Sequence, residues 1–172
     1  MAHPADAEAI EALQKASIAA LFGAFYSADQ TASSVEHVAH VDRVLLGDGT
    51  YFVIEADDGL VACGGWSRRG KLYTGSGDAA DDDRIIDPAT EAARVRAMFT
   101  RPDRTRLGLG TRILEACESA AKAEGFDGLI LVATLAGVPL YRHYGFREIE
   151  RRTVTMPDGT EVECATMTKP IA

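Results

Sequence analysis

Apolar positions recur along the chain with two periods, and the places where one gives way to the other outline the elements. Between Asp6 and Phe22, the small or apolar residues Ala9, Ile10, Leu13, Ser17, Ala20 and Leu21 fall at intervals of three and four, with Asp6 and Glu8 near the start. That spacing predicts an amphipathic helix. Ser27-Ala28-Asp29-Gln30 reads as a capping box that opens a second helix from Ala28 to about His40. The period then shortens to two. Residues 50–56 (TYFVIEA) and 60–67 (LVACGGWS) are rich in aromatic and β-branched side chains and are joined by Asp57-Asp58-Gly59, which predicts an antiparallel hairpin. Gly64 and Gly65 interrupt its second strand, as at a bulge or where another backbone or a ligand comes close.

The second half repeats the alternation in a different order. Residues 92–100 (AARVRAMFT) form a predicted strand, and 109–124 a helix with Leu109, Ile113, Ala116, Cys117 and Ala120 on one side and Gly125 at its close. Residues 127–134 (DGLILVAT) read as a buried strand. Strand, loop, helix and strand within about 40 residues make a βαβ unit, so the two strands should be parallel with a right-handed crossover. A short apolar helix over 138–144 and a closing hairpin, 147–156 with 161–169 around Pro157-Asp158-Gly159, complete the chain. Only 68–91 fits neither period. It is a long insertion loop with Gly70, Gly75 and Gly77 and an acidic cluster at Asp78, Asp81, Asp82 and Asp83, readable as a solvated loop or as a lid that attracts a cationic substrate.

Composition narrows the class. The chain has 172 residues, 47% hydrophobic and 26% charged, which suits a single domain, 1–172, with one sizeable core. It contains no run of about 18 apolar residues, and its first residues, MAHPADAEAI, lack the order of a secretory signal, so the expected location is cytoplasmic and no membrane partner is expected. Cys63, Cys117 and Cys164 lie far apart without C-x-x-C spacing and read as core thiols. His37 and His40, three apart on the second helix, have no third ligand near them in sequence and read as surface residues, so no metal is expected. A formal net charge of -8 argues against nucleic acid and is better suited to a small cationic substrate. A homodimer is left open.

Against that acidic balance, positive charge is concentrated between Arg94 and Arg112, where six arginines accompany one acid, Asp103. In the same stretch Gly108-Leu109-Gly110 opens the third helix. Glycines at a helix start let an anion approach free N–H groups of the first turn, so the stretch has the makings of a phosphate cradle. The dinucleotide pattern G-x-G-x-x-G fails at Ile113, the next strand ends in Ala133-Thr134 without an acid for a ribose, and the P-loop lysine is missing. What remains is a loop followed about 30 residues later by Leu140-Tyr141-Arg142-His143-Tyr144-Gly145-Phe146.

In that order and spacing, LGLGTRILEACESAAKAEGF and PLYRHYGF resemble segments of the GCN5-related N-acetyltransferase (GNAT) superfamily. The resemblance implies an α/β (α+β) fold: a mixed, mostly antiparallel sheet with a central βαβ unit, two splayed parallel strands, and helices on both faces. It also implies direct transfer of an acetyl group from acetyl-CoA, as cosubstrate, to a primary amine on a small-molecule or peptide acceptor. By this mapping the backbone N–H groups of Leu107, Gly108, Leu109, Gly110 and Thr111 would hold the pyrophosphate, with Arg104 and Arg106 assisting. The strand edge at Met98, Phe99 and Thr100 would pair with the pantetheine amides, and Tyr141 would be the general acid, with Tyr144 a packing residue. Thr105 stands where the family has Arg or Gln, and the strand 92–100 carries no carboxylate base, leaving a water held by Glu91, Glu55 or backbone. The chain also begins where a family member has a first strand, so that strand is truncated or reduced to a stub at 2–4. A non-catalytic acyl-CoA binding or sensing module is the alternative reading.

Overall fold

The computed structural model describes residues 1–72 and 83–171. Helices α1 (Ala7–Leu21), α2 (Ala28–His37) and α3 (Arg43–Asp48) precede strands β1 (Tyr51–Ala56), β2 (Gly59–Ser67) and β3 (Ala93–Thr100). Helix α4 (Leu109–Ala123), β4 (Gly128–Thr134), α5 (Val138–Tyr144), β5 (Arg147–Thr155) and β6 (Glu161–Pro170) follow. The six strands form one sheet in the order β1-β2-β3-β4-β6-β5, antiparallel throughout except for the β3–β4 pair. One face packs against α4 and α5 through Val95, Leu129, Leu131, Ile113, Leu114 and Val138. The opposite face packs against α1, α2 and α3, with Ile10, Leu13, Ile18, Phe22 and Leu45 buried there.

Local chemistry explains where the helices begin and end. The Gln30 amide N–H donates to the Ser27 hydroxyl (3.2 Å) while the Ser27 N–H donates to the Gln30 side chain (2.9 Å), the reciprocal capping expected from sequence. Helix α2 stops at His37, earlier than the predicted His40, whose ring instead bonds the Glu36 carbonyl. Sequence periodicity missed α3, because six residues are too few to show one. Its signal lay in its ends: Asp42 accepts from the N–H groups of Val44 and Leu45, and Gly49 terminates the helix in the left-handed region at φ 67°. The buried Gln14 of α1 donates its side-chain N–H to the Tyr51 hydroxyl (3.0 Å), which ties α1 to the start of β1. In place of a first strand, Ala2 alone reaches the sheet, its N–H donating to the Tyr51 carbonyl (2.8 Å) before Pro4–Asp6 turn in a 3-10 helix.

Both glycines of β2 sit where backbone or side chains crowd the strand. Cys63 faces Phe99 and Gly65 faces Arg96, so Gly64 opposes two residues of β3, Ala97 and Met98, and Ala97 takes the left-handed φ of 55° of a bulge. A Cβ on Gly64 would strike the flexible end of Met98 and come within 2.8 Å of Ile113, whereas one on Gly65 would lie 2.5 Å from the Thr50 carbonyl oxygen. Of the long loop, the acidic residues Asp78, Asp81 and Asp82 with Gly75 and Gly77 lie outside the described residues. Asp83 is described, exposed, and paired with Arg69 at 3.4 Å. Backbone cannot yield as a thioether can, so Gly65→Ala should destabilise by about 2–3 kcal/mol and Gly64→Ala by about 1 kcal/mol. Urea denaturation of the two variants measures the order.

Candidate functional site

The site begins where two parallel strands part. β3 and β4 are paired only at Ala93 with Leu129 and Arg94 with Ile130. Beyond that point β4 stays in register with β6 through Thr134 opposite Cys164, and β3 stays with β2 through Thr100 opposite Ala62. A wedge therefore opens between Val95–Thr100 and Leu131–Thr134, exposing β3 backbone groups that a neighbouring strand would otherwise occupy. Tyr26 helps hold it open. Its hydroxyl accepts from the Leu135 N–H just after β4 (2.7 Å) and donates to the Glu163 carbonyl of β6 (2.8 Å), fastening the diverging end of β4 to the α1–α2 side.

The wedge widens into a cavity of ≈ 800 Å³. Met98, Phe99 and Thr100 line it from β3, and Gly108, Leu109, Gly110 and Thr111 from the start of α4. No acceptor among the described residues is bonded to the N–H groups of Leu107, Gly108, Leu109, Gly110 or Thr111. The first internal bond of α4 is Arg112 N–H to Gly108 carbonyl (3.0 Å). A 15-residue helix thus points a turn of unsatisfied donors at the cavity mouth, an arrangement that favours an anion. The two glycines serve it differently: Gly108 takes a φ of 76° with open space around its α-carbon, while a Cβ on Gly110 would lie 2.7 Å from Leu140. Leu107 places its side chain outward, 62% exposed, and takes no part in lining the cavity.

Charge around the cradle is less available than the run of arginines suggests. Arg104 lines the cavity, but its guanidinium is engaged with Asp58 (3.2 Å) and Asp103 (3.5 Å), beside Arg101, which pairs with the same two acids. Those guanidiniums hold the Asp58 and Asp103 carboxyls below the usual carboxylate range. Arg106 also lines the cavity and is exposed, with a left-handed φ of 64°. Thr105 turns its hydroxyl back to the Pro102 carbonyl (3.3 Å), closing the loop rather than reaching outward.

Tyr141 lies between the cradle and the wedge. It is 8% exposed, lines the cavity, packs edge-on against Phe146 (5.8 Å between centroids), and its hydroxyl makes no hydrogen bond among the described residues. Burial, and then nearby Cys117, push its phenol above the ordinary range, so it keeps its proton at neutral pH. Tyr144 stands away from the cavity, under the Lys169 amine (5.2 Å) and beside Glu118. All three cysteines are free and buried. Cys164 lines the cavity, with its thiol pushed up to about 11 by burial, which leaves it protonated and a poor nucleophile.

The family model for the acetyltransferase (GNAT) domain matches residues 47–148, more than half of the chain. The chain belongs to the GNAT family of acetyltransferases. Its fold is shared by a GCN5-related N-acetyltransferase from Rhodopseudomonas palustris, 20% identical, with 98% of this chain and 92% of that one covered and a TM-score of 0.72. PaiA N-acetyltransferase from Thermoplasma acidophilum, solved in complex with coenzyme A, is 16% identical over 98% of this chain and 95% of its own, with a TM-score of 0.66. Ribosomal-protein-S18-alanine N-acetyltransferase from Escherichia coli is 20% identical over 99% and 91%, with a TM-score of 0.58. No curated protein sequence matches the chain.

Within this GNAT fold several cavity residues carry no sequence motif: Ser17 and Ser34 from α1 and α2, Arg96, Thr134, His143 and Cys164. Arg96 was legible only as one of six arginines. Glu91 and Glu55, considered as holders of a water, do not line the cavity. Glu91 is bound by Arg84 (2.7 Å) and Arg94 (3.2 Å), chiefly the former, and held down to about 2, while Glu55 lies exposed on β1. Among the described residues no three His, Cys, Asp or Glu side chains are grouped to hold a metal; His37 pairs with Asp158 (3.4 Å). No helix among them is long and apolar enough to cross a membrane. Tyr26→Phe removes an acceptor and a donor together, so it should destabilise the protein by about 1–3 kcal/mol. Thermal unfolding of this variant, with hydrogen exchange read at Leu135, tests the tether.

Proposed function

We propose that the protein transfers an acetyl group from acetyl-CoA to a primary amine, with Tyr141 as general acid. The observation that carries this reading is a single cavity joining three parts: the unpaired β3 edge, the free N–H groups of the α4 start, and a buried phenol with no partner of its own among the described residues. The cradle N–H groups receive the pyrophosphate, with Arg106 adding charge, and the edge at Met98–Thr100 takes the pantetheine amides as an added strand. Acetyl-CoA supplies an activated acetyl thioester. The bound amine, having given one proton to water, forms the C–N bond as the C–S bond breaks. Tyr141 hydrogen-bonds the departing sulfur and gives it a proton as negative charge develops there. The second proton lost by the nitrogen returns through water to Tyr141. Because its phenol is harder to ionise than usual, Tyr141 donates only as that charge appears.

A binding or sensing module without turnover is the second reading, favoured by the lack of a carboxylate in the cavity among the described residues. Two variants separate the parts. Gly108→Val forces a β-branched residue into a left-handed backbone at about 1–3 kcal/mol of strain, so coenzyme A affinity by calorimetry should fall about tenfold or more. Unaltered binding by that variant would place the cofactor elsewhere. Tyr141→Phe should lower kcat about 100-fold or more while coenzyme A affinity is retained. Unchanged turnover would remove Tyr141 from the chemistry.

A further inference from the structure

The cavity runs through the sheet, because β3 and β4 part beyond Arg94 and Ile130. On the α4–α5 face it begins at the cradle and at Tyr141. On the other face it is walled by Leu21 and Phe22 at the end of α1, Val38 just after α2, Val132 of β4, and Val154 and Met156 at the end of β5. Leu21 and Val38 are half-buried, so this α1–α2 end of the cavity reaches the surface. Two polar residues on this side are turned away from it. The Ser34 hydroxyl donates to the Gln30 carbonyl (2.8 Å), and Arg96 directs its guanidinium to Asp42 (Nη2, 3.2 Å) and to the Lys71 carbonyl (Nη1, 3.2 Å), leaving its aliphatic stem toward the cavity. Ser17 adds a single hydroxyl.

We infer that the acceptor amine is carried on an apolar body, alkyl or arylalkyl, which enters from the α1–α2 end and lies against Leu21, Phe22 and Val38. This rests on the acetyltransferase reading and names the class of its second substrate. With the diphosphate of acetyl-CoA on the cradle and its pantetheine arm along Met98–Thr100, the thioester lies in the wedge beside Tyr141, and an amine meets it from the opposite face of the sheet. The wall on that face is built of branched and aromatic side chains. Such a wall is stabilised by exchanging water for hydrocarbon, whereas a hydroxyl or amide placed against it would lose its hydrogen bonds to water without replacement. The ≈ 800 Å³ cavity also holds the pantetheine arm, so the body that fits is small.

The test is a homologous series. Coenzyme A release from acetyl-CoA is measured with ethylamine, butylamine and hexylamine, alongside calorimetry of acetyl-CoA binding. The three amines have nearly equal basicity, so differences between them report the body. Burial of each added methylene should raise kcat/KM about two- to fourfold. A flat or falling series overturns the inference and leaves the acetyltransferase reading standing. So does a chain-length preference that follows the donor instead, read by exchanging acetyl-CoA for hexanoyl-CoA with ethylamine held fixed, since the apolar end would then hold the acyl group. Acetyl-CoA bound with none of the amines acetylated overturns the inference as well, and absence of acetyl-CoA binding overturns both. Val38→Thr keeps the shape of the wall and adds a hydroxyl to it. It should lower the ratio of kcat/KM for hexylamine to that for ethylamine about threefold or more, whereas a loss of stability alone would lower both together. An unchanged ratio overturns the inference.

Discussion

The candidate site depends on β3 and β4 remaining paired for two residues and no further. After Ala93–Leu129 and Arg94–Ile130, each strand follows its outer neighbour, β3 with β2 and β4 with β6. Unpaired backbone inside a sheet is costly unless a ligand or water takes the hydrogen bonds. The parting must therefore be held by stronger preferences elsewhere. Three are visible: the bulge at Ala97, forced opposite Gly64; the unbroken β4–β6 ladder; and the Tyr26 hydroxyl, which fixes Leu135 and Glu163 at once. The glycines of β2 belong to the same device, since side chains there would push against Met98 and the Thr50 carbonyl and disturb the bulge.

Much of this was legible in the sequence, for physical reasons that also explain what was not. The β3-α4-β4 unit shows because a long amphipathic helix between two strands has an unmistakable change of period, and the glycines at the start of α4 mark the turn whose free N–H groups meet the cavity. The predicted sheet and helix boundaries agree with the structure to within a few residues. Arg96 is different. Its surroundings come from Asp42, the cap of a helix too short to announce itself, and the cavity it lines is walled by α1, α2, β5 and β6, which are far apart in sequence. No local pattern encodes a cavity wall assembled from four elements. Arginine counting misled for a related reason, since Arg104 reads as cationic in sequence but is held by Asp58 and Asp103 in space.

The cradle shows how backbone can stand in for side chains. Thr105 occupies the position where a charged or amide side chain would reach toward an anion, and it bonds Pro102 instead. What faces the cavity mouth is a set of N–H groups fixed by helix geometry, with Arg106 beside them. Such donors need no rotamer ordering, so their contribution does not depend on freezing a long side chain. Their weakness is conformational. The set is aligned only while Gly108 holds a left-handed φ and Gly110 lets Leu140 pass close by, so the proposed anion recognition would rest on two glycines more than on any charge.

On the α3 side of β3 the logic is reversed, and side chains carry the charge. A buried guanidinium is costly, and for Arg96 that cost is offset by Asp42 Oδ2, 3.2 Å from Nη2, and by the Lys71 carbonyl, which accepts from Nη1. The pair ties the middle of β3 to the cap of α3, so the strand holds its own orientation along the stretch where β4 no longer supports it.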